Sequence, residues 1–124
     1  MLYSILCYNS ESAVGAWTKE KDDEVMAHHK AILDKLAAQG KLGTVARLMP
    51  TTTATTVRSG REPFVIDGPF AETKEQLLGF YVIDAESLDE VVEIARSLTV
   101  ETGAHEIRPR LMLQPGRRLA NDAA

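Results

Sequence analysis

The sequence predicts an α+β domain in which two helices alternate with the strands of one sheet. Two amphipathic stretches, with apolar residues recurring every three or four positions, predict helices near residues 18–39 and 87–98. Apolar and β-branched runs around these stretches predict strands, and "LLGFYVIDA" is apolar on both faces, which is typical of a central strand. The predicted order is strand, helix, strand, hairpin, strand, helix, strand.

The first part of the chain is expected to form a strand, a loop and a long helix. "LYSILCYN", residues 2–9, is rich in apolar and aromatic residues and predicts a buried strand. "SESAVGAW" follows as a loop, with Trp17 expected to pack on the next element. The helix has one apolar stripe, formed by Val25, His29, Ile32, Leu33 and Leu36. Gly40 fits the left-handed stop after the last turn.

The second part of the chain begins with a strand in "KLGTVARLMP", residues 41–50. "TATTV", a Ser-Gly turn and "PFVI" then predict a β-hairpin. The charged segment "AETKEQ" leads to the central strand. Ser87 and Glu90, in "SLDE", form a capping box at the start of the second helix. The last strand is expected near "AHEIRPRLML".

Without the inserted hairpin, this order is β-α-β-β-α-β, the ferredoxin-like unit. Two helices cover only one face of such a sheet, so the other face needs a partner. We therefore expect a homodimer that forms through the sheet faces. The domain is expected to span residues 1–113. Residues 114–124, "QPGRRLANDAA", read as a polar C-terminal tail that is ordered only if something holds it.

Composition narrows the class of protein. The 124 residues are 44% hydrophobic and 26% charged, which fits one soluble domain with a single core. A net charge of −4 gives no general attraction for phosphate backbones, so we expect no nucleic-acid partner. No apolar run approaches the roughly 20 residues that cross a bilayer, and the N-terminus lacks a signal-peptide pattern. We expect a cytoplasmic protein without a membrane partner.

The sequence contains no motif for a cofactor or a metal. It has no cysteine pair, glycine-rich phosphate loop or nucleophile-elbow motif. His28 and His29 are adjacent, so their side chains point about 100° apart on a helix and cannot easily share an ion. Cys7 is the single cysteine, and a small buried hydrophobe is favoured over a reactive thiol. We expect neither cofactor nor metal.

Two residues are the main candidates for chemistry. His29 lies at the centre of the apolar stripe, where a polar ring needs a hydrogen-bond partner. It is interpreted either as a core histidine bonded to a carbonyl or hydroxyl, or as a general acid or base; His28 is expected at the exposed rim. Asp67 precedes Gly68 and can form an Asx-turn. Alternatively its carboxylate pairs with His29 and raises the basicity of the imidazole.

The stretch "DGPFAETKEQLLGFYVIDAESLDE" resembles the signature of the YCII-related family, in its DGPF subgroup. "HKAILDKLAAQGKL" resembles the family's first helix, and "TTTATTVR" and "HEIRP" also fit, so the resemblance covers roughly residues 1–111. It implies a dimeric α+β barrel of ferredoxin-like subunits. It also implies that His29 and Asp67 occupy the positions of a histidine and an aspartate proposed as a catalytic pair in the family.

Other polar and aromatic residues are weaker candidates. Phe70 is a candidate wall of a pocket beside Asp67, and Lys74 and Arg47 are candidates to neutralise an anionic ligand; each also has an ordinary core or surface interpretation. His105 is expected at the surface of an edge strand. A basic cluster near the C-terminus is expected to be hydrated or paired with local carboxylates: Arg108, Arg110, Arg117 and Arg118.

Two functions remain open from the sequence. The first is an enzyme of isomerase, lyase or hydrolase type, in which His29 and Asp67 transfer a proton to or from a small organic acid in a dimer cleft. The second is a non-catalytic regulatory module that binds a small ligand or a protein. The family resemblance adds a link to extracytoplasmic-function sigma factor systems, because genes for such factors often lie near those of family members.

Overall fold

The computed structural model describes residues 1–110, 112, 114 and 116. The strands are β1 (Leu2–Asn9), β2 (Leu42–Arg47), β3 (Thr55–Arg58), β4 (Phe64–Asp67), β5 (Gln76–Asp84) and β6 (Ala104–Pro109). The helices are α1 (Glu11–Gly15), α2 (Lys19–Ala38) and α3 (Leu88–Leu98), and one 3-10 turn spans Thr51–Thr53. Apart from residues 114 and 116, the predicted tail lies outside the described residues, and so do two of the four clustered arginines, Arg117 and Arg118.

Four strands form one antiparallel sheet in the order β2-β5-β1-β6. This is the strand order of a ferredoxin-like β-α-β-β-α-β unit, and β5 lies inside the sheet as predicted. Within the described part of the chain, strands β3 and β4 pair only with each other, in register from Thr55↔Asp67 to Arg58↔Phe64. We call residues 55–67 the arm. The predicted α+β fold with an inserted hairpin is confirmed.

Side chains cap the two long helices where the sequence predicts their ends. At the start of α2, Thr18 accepts a hydrogen bond from the backbone N–H of Lys21. The helix ends at Ala38, and Gly40 follows its C-cap with a φ of 70°, the left-handed conformation that glycine adopts readily. At the start of α3, Ser87 accepts from the backbone N–H of Glu90. Both helices therefore begin at a residue whose side chain caps the first turn, Thr18 for α2 and Ser87 for α3.

The side chain of Glu90 differs from that of an ideal capping box. Its carboxylate accepts from the backbone N–H of Glu86 and from the ammonium of Lys41, which precedes β2. The hydrogen bond between Lys41 and Glu90 raises the pKa of Lys41 and lowers the pKa of Glu90. The pair links the start of α3 to the strand that follows α2.

A short helix, α1, occupies the segment that was expected to be a loop. Ser10 caps it by accepting from the backbone N–H of Ala13. The carboxylate of Glu11, in the first turn, accepts hydrogen bonds from the backbone N–H and the hydroxyl of Thr51. Local capping and this contact outweigh the weak helix propensity of the segment, which ends in Gly15. The loop prediction is wrong here.

The hydrophobic core fills only one half of the space between the sheet and the helices. Its buried members are Tyr3, Ile5, Leu36, Ile83, Ala85, Val91, Ala95 and Leu98. These residues come from the N-terminal half of β1, the C-terminal half of β5, the end of α2 and all of α3. The other half of the helix–sheet space, beside the N-terminal part of α2, contains a cleft. Within the described residues, no helix is both long and apolar enough to span a membrane.

Gly79 is required by the close approach of two strands. A Cβ at this position would lie 2.3 Å from the backbone oxygen of Ala46 and 3.2 Å from the Cα of Arg47. Gly79→Ala should therefore push β2 away from β5 and lower the free energy of unfolding by about 1–3 kcal/mol, measured by urea denaturation. Gly15→Ala is the matched control, because nothing lies within 4 Å of its added Cβ. Equal urea midpoints for the two variants would contradict the prediction.

Candidate functional site

An open cleft of about 390 Å³ lies between α2 and the sheet. This volume is within the range of small-molecule sites. The sheet side of the cleft includes the point where the pairing of β1 with β5 shifts register, between Cys7 and Tyr8. Such β-bulges are frequent next to functional sites, because they change the direction of side chains locally.

Most of the cleft wall is apolar. Its hydrophobic and aromatic members include Val14, Trp17, Val25, Met26, Leu33, Val45, Tyr81 and Leu98. Trp17 is half-buried, as expected of a residue that packs on the neighbouring element. Polar side chains also border the cleft, and among them are His29 from α2, Arg47 from β2 and His105 from β6. An apolar pocket with a few convergent polar groups is typical of a ligand site.

The two adjacent histidines of α2 cap the C-terminal end of α3. Nε2 of His28 lies 2.8 Å from the carbonyl oxygen of Ser97, and Nε2 of His29 lies 3.0 Å from that of Leu98. The last carbonyls of a helix have no partner within the helix, so they need donors from elsewhere. The imidazoles supply those donors and join the two helices.

This contact also determines the protonation pattern of His29. A carbonyl oxygen can only accept, so Nε2 of His29 must carry the proton. In the neutral ring Nδ1 then has a free lone pair. The interpretation of His29 as a histidine bonded to a carbonyl is confirmed, and the same half-buried side chain also borders the cleft. The predicted exposure of His28 is confirmed as well.

Asp67 lies elsewhere in the described chain. It is the last residue of β4, its side chain is exposed, and it does not border the cleft. The turn after it is held by other groups: the N–H of Gly68 donates to the oxygen of Ala54, and the hydroxyl of Thr56 donates to the oxygen of Gly68. Within the described residues, His29 donates no hydrogen bond to Asp67. Their pairing as a catalytic dyad stays a prediction.

One of the three predicted ligand-binding residues borders the cleft, and the other two lie away from it. Arg47 borders the cleft at the end of β2, with Nη1 3.1 Å from the sulfur of Met26. Phe70, 74% exposed, and Lys74, also exposed, lie between β4 and β5 and do not border it. Of the three, the fold brings only Arg47 together with His29. A ligand role for Phe70 and Lys74 stays a prediction.

The expectation that His105 lies at the surface is wrong. Strand β6 is an edge strand, but Ile107, two residues on, packs against the core, and alternate residues of a strand share a face. His105 therefore faces the helices, where its ring is half-buried and borders the cleft. Its Nδ1 is buried and has no hydrogen-bond partner within the described residues. The alternation of His105 with Ile107 is the sequence signal for this position.

Burial favours the neutral forms of three ionisable side chains of the cleft, those of His105, Cys7 and Tyr81. It lowers the pKa of His105, and the nearby imidazole of His29 lowers it further. Burial also raises the pKa of Cys7 to about 11 and raises the pKa of Tyr81. The cleft therefore offers neutral imidazole and phenol groups and an unreactive thiol. Among the residues that the structure describes, no three His, Cys, Asp or Glu side chains are placed to hold a metal ion.

The raised pKa of Cys7 predicts slow alkylation of the folded chain. Only the thiolate reacts, and a thiol pKa of about 11 leaves little thiolate at pH 8. Iodoacetamide should modify Cys7 about a hundredfold more slowly in the folded chain than in the urea-unfolded chain, and the folded rate should rise about tenfold per pH unit. Mass spectrometry measures both rates cleanly, because Cys7 is the single cysteine. Equal rates in the two states would contradict the assignment of a buried, protonated thiol.

Comparison with known proteins identifies the family. The sequence model of the YCII-related domain matches residues 1–111. An uncharacterized protein of Rhizobium meliloti (strain 1021) is 55% identical over 120 residues, which cover 94% of this chain and 97% of that protein. Among solved structures, 5-chloro-2-hydroxyhydroquinone dehydrochlorinase (TftG) of Burkholderia phenoliruptrix AC1100, in complex with 2,5-dihydroxybenzoquinone, matches with a TM-score of 0.49 and 19% identity, covering 89% of this chain and 93% of that one. The family match spans nearly all of the described residues, and the chain belongs to the YCII-related family.

Proposed function

We propose that the cleft binds a small, largely apolar organic acid and that His29 transfers a proton to or from it. The observation that carries this proposal is that a hydrogen bond fixes the orientation of the His29 ring. Its Nε2 is engaged by the carbonyl of Leu98, while the side chain borders an open apolar cleft. A general base needs a free lone pair within reach of the substrate and a ring that does not rotate away.

The charges at the cleft favour an anionic ligand. Lys30 and Asp34 both border the cleft, and they form an ion pair with a separation of 2.6 Å, so their charges largely cancel. Within the described residues, Arg47 forms no ion pair, and its guanidinium makes its contact with Met26. A planar guanidinium can bind a carboxylate through two parallel hydrogen bonds. The proposal therefore places the acid group of the ligand at Arg47.

The proposed reaction is a proton transfer in an isomerisation, an elimination or a hydrolysis. Nδ1 of His29 takes a proton from the bound molecule, or returns one to it after the ring has been protonated. The apolar wall strengthens the interaction of these groups with the ligand, because it replaces water around them. The proposal needs no further group at the reacting centre for the proton-transfer step itself.

A second candidate is a non-catalytic module that binds a small ligand or a regulatory protein. The observation in its favour is the pair of contacts from His28 and His29 to the end of α3. Both residues have the same bonding role there, and of the two only His29 borders the cleft between α2 and the sheet. If joining two helices were the whole role of the pair, His29 would have no role in chemistry. In this candidate function the cleft still binds a ligand but catalyses no reaction.

Exchange of the carbon-bound protons of a ligand with solvent deuterium distinguishes the enzyme from the binding module. In D₂O, the native protein should speed the exchange of acidic C–H protons in a panel of small 2-oxo and other enolisable carboxylic acids, followed by ¹H NMR. His29→Gln should reduce the exchange rate about a hundredfold or more, because the amide has no basic nitrogen. The amide N–H can still donate to the carbonyl of Leu98, so the fold should be retained.

His28→Gln is the matched control for this experiment. It changes the equivalent contact with Ser97 but leaves the wall of the cleft between α2 and the sheet unchanged. We expect this variant to keep the native exchange rate. Unchanged exchange in His29→Gln would exclude His29 as the base. Tight binding of the acids to the native protein without exchange would favour the binding module.

We also propose that the chain acts as a cytoplasmic homodimer, joined through the face of the sheet opposite the helices. Tyr3 of β1 belongs to the core, so its neighbours Leu2, Ser4 and Leu6 lie on the opposite face. Neither α2 nor α3 covers this largely apolar strip. A second copy of the same strip is the partner that closes a symmetric interface.

The arm supports this proposal independently. A two-stranded hairpin is only marginally stable in water without further packing. Val57 and Val65 pair across the arm and are 66% and 67% exposed, and Phe64 is exposed beside them. Packing of the arm on the second copy would bury these side chains. Asp67 is carried by the arm, so the predicted pairing of Asp67 with His29 is proposed as a contact between the two copies.

Sedimentation equilibrium tests the dimer. The native protein should have about twice the 13.6 kDa mass of the chain at micromolar concentration. Leu6→Glu should shift it to the monomer, because the charge would be buried without a partner in the sheet interface. Leu88→Glu is the control, since Leu88 is 53% exposed on α3, on the helix side of the sheet. A native monomer, or a Leu6→Glu dimer, would contradict the proposed interface.

A further inference from the structure

His105 is a polar residue of the cleft to which neither the fold nor the proposed proton transfer assigns a role. Its position opposite Cys7 in the register of β6 with β1 places it on the helix-facing side of the sheet. There it borders the same cleft as His29, and the imidazole of His29 contributes to the lowered pKa of His105. Glu106, the next residue, lies on the opposite face of the strand.

The two ring nitrogens of His105 have different surroundings. Nδ1 is buried and has no partner within the described residues. Nε2 also has no hydrogen bond there, it is not among the buried unpartnered atoms, and the side chain borders the cleft. Protonation of both nitrogens would leave a buried N–H without an acceptor. The burial that lowers the pKa of His105 acts in the same direction.

The surroundings of Nδ1 also indicate the tautomer. A buried N–H without an acceptor is rarer in proteins than a buried lone pair without a donor. In the neutral ring, Nδ1 of His105 therefore holds the lone pair and Nε2 carries the proton. His29 presents the opposite group, because its Nε2–H is engaged by Leu98 and its Nδ1 lone pair is free. The cleft thus combines one hydrogen-bond donor with one acceptor.

We propose that Nε2–H of His105 donates to a hydroxyl oxygen of the ligand while Nδ1 of His29 accepts the proton of the same hydroxyl. This inference rests on the proposed function and specifies its ligand as a hydroxyl-bearing organic acid. When the proton moves, the O–H bond breaks and an N–H bond forms at His29. The oxygen keeps the electron pair, and its negative charge is stabilised by the donor of His105.

Binding of matched probes tests the contact. We would titrate the native protein with benzoate, 3-hydroxybenzoate and 4-hydroxybenzoate by NMR or calorimetry. At least one hydroxylated probe should bind roughly three- to tenfold more tightly than benzoate, the range expected for one hydrogen bond. His105→Phe should remove this preference without weakening benzoate, because it fills similar space and has no donor. His105→Gln should restore part of the preference, because its amide N–H can donate.

Glu106→Gln is the control on the same strand and should keep the native preference. A preference for the hydroxyl that persists in His105→Phe would overturn the contact, and so would an equal loss of affinity for all three probes. Equal affinity of the native protein for all three would overturn the hydroxyl inference and leave the organic-acid site standing. Binding of none of them would overturn the proposed organic-acid site together with this inference.

A measurement on the native protein keeps the test independent of how the variants fold. Long-range ¹H–¹⁵N NMR spectra separate protonated from unprotonated ring nitrogens. We expect Nε2 of His105 to be protonated, and its signal should shift with the hydroxylated probe more than with benzoate. A protonated Nδ1 on His105, or equal shifts with all probes, would overturn the assignment.

Discussion

The hydrogen bonds from His28 and His29 to the end of α3 are the contact on which the arrangement of the site depends. A helix C-terminus leaves carbonyls without partners, and in a small domain these must be satisfied by side chains or water. Here two imidazoles of α2 reach the carbonyls of Ser97 and Leu98. The contact ties together the two helices that cover the sheet. It also engages one nitrogen of each ring and leaves the other nitrogen of His29 free.

The division of the helix–sheet space into a core and a cleft follows from the distribution of side chains along β1 and α2. Ile5 and Leu36 fill the space near α3, where Val91, Ala95 and Leu98 meet them. Toward the other end the sheet has the bulge after Cys7, and Gly79 borders the cleft with its backbone alone. The buried half supplies the stability, and the open half holds the polar groups. A rigid core beside an open cleft is the arrangement that keeps such groups in place without sealing them.

The fold was predictable because its signals are local and repeated. The apolar stripe of α2, the serine cap of α3 and the apolar run of β5 each lie within one segment, and together they specify the ferredoxin-like order. The exceptions have specific causes. The helix α1 depends on a contact from Glu11 to Thr51, 40 residues away. The partner of His29 is a carbonyl 69 residues away, which no local pattern reveals. For His105, the position of its strand at the sheet edge obscured the direction of its side chain.

The chemical character of the cleft arises from the unequal surroundings of two identical rings. The ring of His29 has a protein acceptor for one nitrogen, whereas the ring of His105 has a buried nitrogen without any described partner. The hydrogen bond to Leu98 leaves the Nδ1 lone pair of His29 available. The buried Nδ1 of His105 favours a neutral ring with its proton on Nε2. The proposed site gives these two residues of one type different roles, that of a base and that of a donor. Sequence can show that both histidines exist, but the assignment of these roles follows only from where the fold places the carbonyl of Leu98 and the buried side of β6.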